Sequence, residues 1–428
     1  MTSPTDLAAT IWPDVTHLLP DATVALVGAA AEEADRDGKP NAAGLDALRA
    51  VRWPGLPVPT QFGGGGAGLL ACCAAQRRIG AADPALAIAV NMHLFSVGLM
   101  VEHWRRRSDV SWMLMEAIAT QGRLVASAFA EPNLGGSVVR STIRARRTAK
   151  GWQLSGRKSP CSLIAEADLV CLQVQSDPAD GPEEVHVLLL PTKAEGVSVS
   201  QTWDTMSMRG SGSDTLVLDD CHVPDDLVFY SGPIGEDDDV VAAGLIWFAL
   251  TSVAVYLGLA QAALHATQTL TGRGRIAHLD ATRAELPSYQ SVVGDQAARL
   301  LTLEAACAGL AAQMDAGADP QLLLPAALGL KHSAAEVVPA AVGALTEACG
   351  GVALSRRMPL ERLWRDAQAI RFHPPTGAAT RQYLGRLALR VPAFLDLDES
   401  APRLRAATAG DGEHPGTTHA DPDHRRTP

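Results

Sequence analysis

A chain of 428 residues, 47 % hydrophobic and 19 % charged, is long enough for two or three domains around a large core. Its formal net charge of −11, with no basic stripe beyond short runs such as Arg105-Arg106-Arg107, excludes nucleic acid as the main partner. Seven cysteines, two of them adjacent at Cys72-Cys73, follow no metal-ligand spacing, so no metal is expected and the thiols read as buried in a reducing compartment.

Residues 1–6 show no basic stretch leading into an apolar core, and a cytoplasmic protein is expected. Residues 1–122 read as an N-terminal helical domain: helical patterns at Ala43 to Val51 and Gly68 to Ile79 flank a loop at 56–66 rich in Pro and Gly. Asp83-Pro84 then opens a longer apolar helix through Met92-His93-Leu94-Phe95, following the preference for Asp at the N-cap and Pro just inside.

Residues 123–232 form the β-rich block, and 127–162 is its most strand-like stretch. Glu131-Pro132-Asn133-Leu134-Gly135-Gly136-Ser137 is a loop, and alternation from Val138 to Arg146 predicts a half-buried strand. Lys150-Gly151 turns, Trp152-Gln153-Leu154 resumes the strand and Ser155-Gly156 turns again. A Gly-rich loop feeding a hairpin suits a flat ligand such as a flavin. Leu169 to Val174, Val185 to Leu190, Gly196 to Val199 and Thr215 to Leu218 add strands at a spacing that suggests a sandwich or barrel.

Residues 233–395 return to four or five long Ala/Leu-rich helices, a C-terminal four-helix bundle. Val240 to Ala263 carries no charge and is long enough to span a bilayer. It lacks basic flanks and holds Thr251, Ser252 and Gln261, so it is read as a buried helix with no membrane partner. The polar residues 396–428 read as a disordered tail, with His414, His419 and His424 solvated.

Helix, β and helix in this α+β order, together with a series of short motifs, resemble the acyl-CoA dehydrogenase superfamily over roughly residues 20 to 392. The motifs are Val58-Pro59-Thr60-Gln61-Phe62-Gly63-Gly64, Ala130 to Ser137, Leu154-Ser155-Gly156-Arg157-Lys158, Met208 to Asp214 with Val223-Pro224, and Gly350-Gly351 followed by Pro359 to Ala367. The resemblance implies non-covalent FAD, with its ring between the β domain and the helical bundle. It also implies a homo-oligomer, dimer or tetramer, and an electron-transfer partner or flavin reductase.

A flavin needs main-chain donors and hydroxyls along its polar edge. Phe129, Ala130 and Ser137 are expected along one wall, with Cys161 and Ser162 approaching from the other strand. The family usually has Thr where Ala130 stands and an aromatic where Pro160 stands, while Ser162 keeps the hydroxyl. Arg273 or Arg275, Gln290, Glu347, Gly350, Gly351 and Thr376 are the candidates for the diphosphate and adenosine.

Desaturating an acyl thioester takes a carboxylate base in a dry pocket. The two positions the family uses fall here at Pro374 and about Phe248, and neither is acidic. His373 stands beside the first, as base or hydrogen-bond donor or as a simple helix cap, and His93 is a second candidate. Three readings follow. The first is oxidation of an acyl thioester, on CoA or an acyl-carrier protein, by hydride transfer to flavin. The ending Phe372 to Thr376 favours it by resembling acyl-carrier-protein dehydrogenases of polyketide extender-unit pathways. The second is a flavin monooxygenase using O2, since monooxygenases of this superfamily that look like dibenzothiophene monooxygenase also lack the Glu and carry a His near this place. The third is a catalytically dead structural paralogue.

Overall fold

The computed structural model describes residues 8–395, except 133, 135, 136, 138, 182, 235–237 and 394. The expectations for Asn133, Gly135, Gly136 and Val138, and for the tail from 396, lie outside the described residues. Among the described residues, six α-helices come first: α1 (Asp21–Ala29), α2 (Ala31–Asp37), α3 (Ala42–Ala50), α4 (Leu69–Ala82), α5 (Pro84–Arg107) and α6 (Trp112–Gln121). α5 starts where the sequence places it. The Asp83 carboxylate accepts from the N–H groups of Ala85 and Leu86, each at 3.1 Å, and Pro84 occupies the first turn.

Eight strands among the described residues form the middle: β1 (Val125–Ala128), β2 (Arg144–Thr148), β3 (Gly151–Cys161), β4 (Leu169–Ser176), β5 (Glu184–Pro191), β6 (Val197–Ser200), β7 (Asp214–Val223) and β8 (Val228–Pro233). They make one sheet in the order β6-β7-β3-β2-β4-β5-β8, with β1 also on β4. β2 pairs antiparallel with β3 and parallel with β4, so it joins the two leaves.

Two local expectations are corrected. The strand starts at Arg144, not near Val138, because the preceding residues fold around a buried carboxylate. Glu131 pairs with the fully buried Lys158, accepts from the Ser141 and Thr142 hydroxyls, and takes the Thr142 N–H at 2.8 Å. Side chains spent on one anion do not alternate across a sheet. Ser155-Gly156 is not a turn: β3 runs through it, with a register shift against β7 between Leu154 and Gly156, the sign of a bulge.

The remainder is helical: α7 (Asp239–Thr271), a small hairpin of β9 (Arg275–Ile276) and β10 (Ala281–Thr282), then α8 (Pro287–Asp315), α9 (Pro320–Cys349), α10 (Pro359–Ala367) and α11 (Gly377–Leu389). Three of these are long, at 33, 29 and 30 residues, while α10 and α11 have 9 and 13, shorter than the sequence suggests. α5 and α7 are both apolar and long enough to cross a membrane, yet their most apolar windows are 100 % and 94 % buried inside the protein. α7 is the central rod, with α4, α5, α8, α9 and α10 packed on it. α4 crosses it main chain to main chain: a methyl at Gly258 would collide with the Arg77 carbonyl, and one at Gly80 with the Val255 carbonyl.

The Met208 to Asp214 motif forms a joint between all three parts. The Met208 N–H donates to Asp366 Oδ1 on α10 at 2.6 Å, and Arg209 Nε donates to the Asp35 carbonyl on α2 at 2.7 Å. Arg365 closes the joint with an ion pair to Asp35 at 2.7 Å.

Burial pushes the Glu131 carboxyl up, but the Lys158 ammonium and the two hydroxyls outweigh it and hold the group below its ordinary value of 4.5. A carboxyl with a lowered folded-state pKa adds stability above pH 4.5, and that stability fades as pH falls below it. Lys158→Met, which strands Glu131, is expected to cost about 3–5 kcal/mol of unfolding free energy at pH 7, read from urea denaturation followed by circular dichroism.

Candidate active site

Two features of α7 converge on the segment after α10. Tyr256 and Phe248 lie eight residues apart, two turns along one face, and both meet His373. Ring centroids are 5.7 Å apart for Tyr256–His373 and 6.4 Å for Phe248–His373. Tyr256 Oη lies 2.6 Å from His373 Nε2. The aromatic contacts continue from Phe248 to Phe95 on α5 at 5.6 Å, and from Phe95 to Phe129 at 5.0 Å. Phe129 precedes Ala130, whose carbonyl accepts from the Ser159 N–H at 3.0 Å. A continuous line of contacts thus runs from His373 to the strand end carrying Cys161 and Ser162.

Hydroxyls gather at that end. Ser162 Oγ lies 2.8 Å from Ser213 Oγ, which lies 2.6 Å from Ser211 Oγ. The Thr215 hydroxyl donates to Ser159 Oγ at 2.9 Å. Phe129, Ala130 and Ser162 are half-buried and Ser137 is buried. The Cys161 thiol is turned inward, toward the Lys158 carbonyl at 3.2 Å, and burial pushes it up to about 12, so only its main chain can serve a ligand.

The electrostatics here are those of a dry site. Burial, with the charge of Lys331 second, pulls His373 down to about 3, so its imidazole is neutral near pH 7. Burial likewise drives the Tyr256 phenol well above its ordinary value, and it keeps its proton. A buried phenol needs an acceptor, and Nε2 is the one within reach among the described residues, so Tyr256 donates and the ring proton of His373 sits on Nδ1.

Not every expected residue joins this group. Both ring nitrogens of His93 serve the main chain: Nε2 donates to the Pro54 carbonyl at 2.8 Å, and Nδ1 accepts from the Val125 N–H at 3.1 Å. Fully buried and with neither nitrogen free, His93 is a brace between α5, the 53–55 turn and β1; the expectation of a catalytic His93 is corrected on that ground. The adenosine-side candidates lie elsewhere, at the hairpin and the ends of α8 and α9. Arg275 is spent on Asp280 at 2.8 Å, Gln290 donates to the Ala284 carbonyl at 3.0 Å, and Arg273, Glu347 and Gly351 are exposed. Arg283, which the sequence reading passed over, sits beside Gly350. Thr376 caps α11 through the Ala379 N–H at 3.4 Å.

Sequence reasoning also missed Tyr256, Phe95 and Lys331. Tyr256 carried a signal, as the only tyrosine in the uncharged run and two turns beyond Phe248. Lys331 carried another, as the only lysine or arginine in α9.

Models of the acyl-CoA dehydrogenase N-terminal, middle and C-terminal domains match residues 23–104, 126–221 and 250–376. Isobutylamine N-hydroxylase of Streptomyces viridifaciens is 29 % identical over 360 residues, 82 % of this chain and 90 % of its own. The amino sugar nitrososynthase of Streptomyces peucetius is 29 % identical over 361 residues, 81 % of this chain and 85 % of its own. Among solved structures, that of KijD3 with FMN and dTDP-3-amino-2,3,6-trideoxy-4-keto-3-methyl-D-glucose is similar with a TM-score of 0.78 at 25 % identity, over 91 % of this chain and 95 % of that one.

Burial lowers the pKa of His93 from 6.5 to about 4. A lowered folded-state pKa means stability held above pH 6.5 and lost as pH falls toward 4. His93→Ala is expected to cost about 2–4 kcal/mol at pH 7 by stranding a carbonyl and an N–H, and to flatten part of that acid loss. Denaturant unfolding at a series of pH values measures both.

Proposed function

Because the chain belongs to the acyl-CoA dehydrogenase family, we propose that it is a flavin-dependent monooxygenase of that family that hydroxylates the nitrogen of a primary amine. The observation that carries this reading is the absence of a carboxylate at either family base position. Pro374 and Phe248 stand there, and between them is an imidazole held uncharged against Tyr256. A histidine with a pKa of about 3 is a poor base for an α-proton near neutrality, so the expected oxidation of an acyl thioester loses its chemical agent. It remains well suited to donate a hydrogen bond from Nδ1. The amine follows from the likeness to the isobutylamine N-hydroxylase and the nitrososynthase.

The residues fit a flavin. The hydroxyls of Ser162, Ser211 and Ser213 and the main chain near Ala130 supply the donors its polar edge needs, and Phe129 with Phe95 gives an apolar wall. We take the flavin to be FAD, held further by Ser137, Thr376, Arg283 and the Gly350-Gly351 turn. Reduced flavin supplies two electrons for O2, so that one oxygen atom forms the N–O bond and the other leaves as water with two protons. The chain does the rest. Phe95, Phe129 and Phe248 exclude water from the reacting centre. His373 Nδ1 donates to developing negative charge there, and the Ser162 hydroxyl provides a second donor. The expected partners are a flavin reductase and further copies of the chain, and the expected compartment is the cytoplasm, in keeping with seven buried free cysteines.

Reducing the purified flavoprotein and mixing it with isotopically labelled O2 and isobutylamine or a nucleotide-linked amino sugar is expected to place one labelled oxygen in the product, read by mass spectrometry. Desaturation of an acyl thioester with no label incorporated would overturn the reading. His373→Ala is expected to lower turnover about 100-fold with flavin binding intact, measured by steady-state rates and flavin titration. Heating should release FAD; FMN on chromatography would overturn that assignment.

A further inference from the structure

One buried cation lies outside the scheme above. Lys331 on α9 is 4 % exposed, and its ammonium meets only neutral acceptors among the described residues. Nζ donates to the His373 carbonyl at 2.6 Å and to the Pro375 carbonyl at 3.0 Å. Burying an ammonium without a counter-ion is costly, and carbonyl dipoles offset only part of that cost. Replacing it by an apolar residue would leave two carbonyls without a donor. The same residue, His373, is held at its ring by Tyr256 of α7. α9 therefore fixes its main chain and α7 its imidazole.

We infer that Lys331 is a positioning residue that clamps the 373–375 segment through two carbonyls and, once protonated, sets a positive charge close to His373. The inference rests on the proposed role of His373 as an uncharged donor. The charges around the pair are few. Among the described residues Lys331 is the charge acting on His373, burial shifts Lys331 itself, and Asp366 of α10 acts on Tyr256. Burial brings Lys331 down to about 7 while His373 lies at about 3, so on acidification the first proton is taken by the lysine. The ammonium then opposes a second proton on the imidazole. The donor on Nδ1 and the acceptor on Nε2 keep their places while pH falls through the range in which an ordinary histidine, at about 6.5, would charge.

Two variants separate clamp from charge. Lys331→Met keeps length and shape without donors or charge; Lys331→Gln keeps an amide donor without charge. The His373 ring is followed by NMR, its signal identified by its loss in His373→Ala, and amine turnover is followed alongside. The wild-type ring is expected to stay uncharged from pH 8 down to about 5, against an ordinary midpoint near 6.5. In both variants the midpoint should rise by about one unit or more. Turnover should fall about 10- to 100-fold in Lys331→Met and less in Lys331→Gln, with KM for the amine changing by less than about threefold. A wild-type ring that titrates near its ordinary value overturns the inference, and that measurement stands even if neither variant folds. An unmoved midpoint with unmoved turnover in either folded variant also overturns it. Should oxygen insertion fail while the ring stays neutral and responds to Lys331, the reading of the reaction falls and this one stands.

Discussion

The placement of the site depends on how closely α4 can approach α7. At Gly80 and Gly258 the two helices meet backbone to backbone, and no other residue fits at either position without moving a main chain. That contact fixes the rotation of α7 about its axis. With the rotation fixed, Phe248, Ser252 and Tyr256, spaced four apart, point the same way. A buried polar chain adds to the constraint. Gln76 Nε2 of α4 donates to Asn91 Oδ1 of α5 at 3.0 Å, and Asn91 Nδ2 donates to Ser252 Oγ of α7 at 3.0 Å. Hydrogen bonds are directional in a way that apolar contacts are not, so three helices are registered along their lengths as well as pressed together. Phe95, one turn after Asn91, is carried onto Phe248 by the same registration.

The protein handles buried charge in two opposite ways. In the β domain, Glu131 and Lys158 pair with each other and the Ser141 and Thr142 hydroxyls are recruited to them. At the site, Lys331 faces only carbonyls among the described residues, and the imidazole beside it is kept neutral. The first arrangement ties the 131–142 loop to the strand that leads to Ser162. The second leaves a neutral imidazole near an amine that has no counter-ion among the described residues.

Much of the fold was legible because its signals are local. Asp83-Pro84 caps α5 as its sequence says, and the apolar runs at Leu169 to Val174 and Val185 to Leu190 pair as strands. The failures share a physical cause. The alternation before Arg144 is real, but Glu131, more than ten residues upstream in sequence, takes the side chains that would have lined a strand. Ser155-Gly156 has turn composition, yet β7 supplies a partner and the chain continues as a bulged strand. At the site, His373 could be singled out by its place after the Arg-Asp-Ala helix. Its state could not, because that is set by burial and by Tyr256 and Lys331, which are 117 and 42 residues away in sequence. His93 shows the reverse: a polar residue on an apolar helix proved to be a brace, satisfied by two main-chain groups that no local pattern announces.

The uncharged character of α7 has a bearing on how the chain comes to be folded at all. A segment of this length and hydropathy is one that membrane-insertion machinery and aggregating partners would both accept while it is uncovered. Chain order answers the hazard. α4 and α5, which cover much of α7, precede it and are made first, so a receiving surface exists when α7 emerges. α8 and α9 then close the far side. Reordering the chain by circular permutation, with α7 ahead of α4 and α5, would keep every native contact and remove that protection.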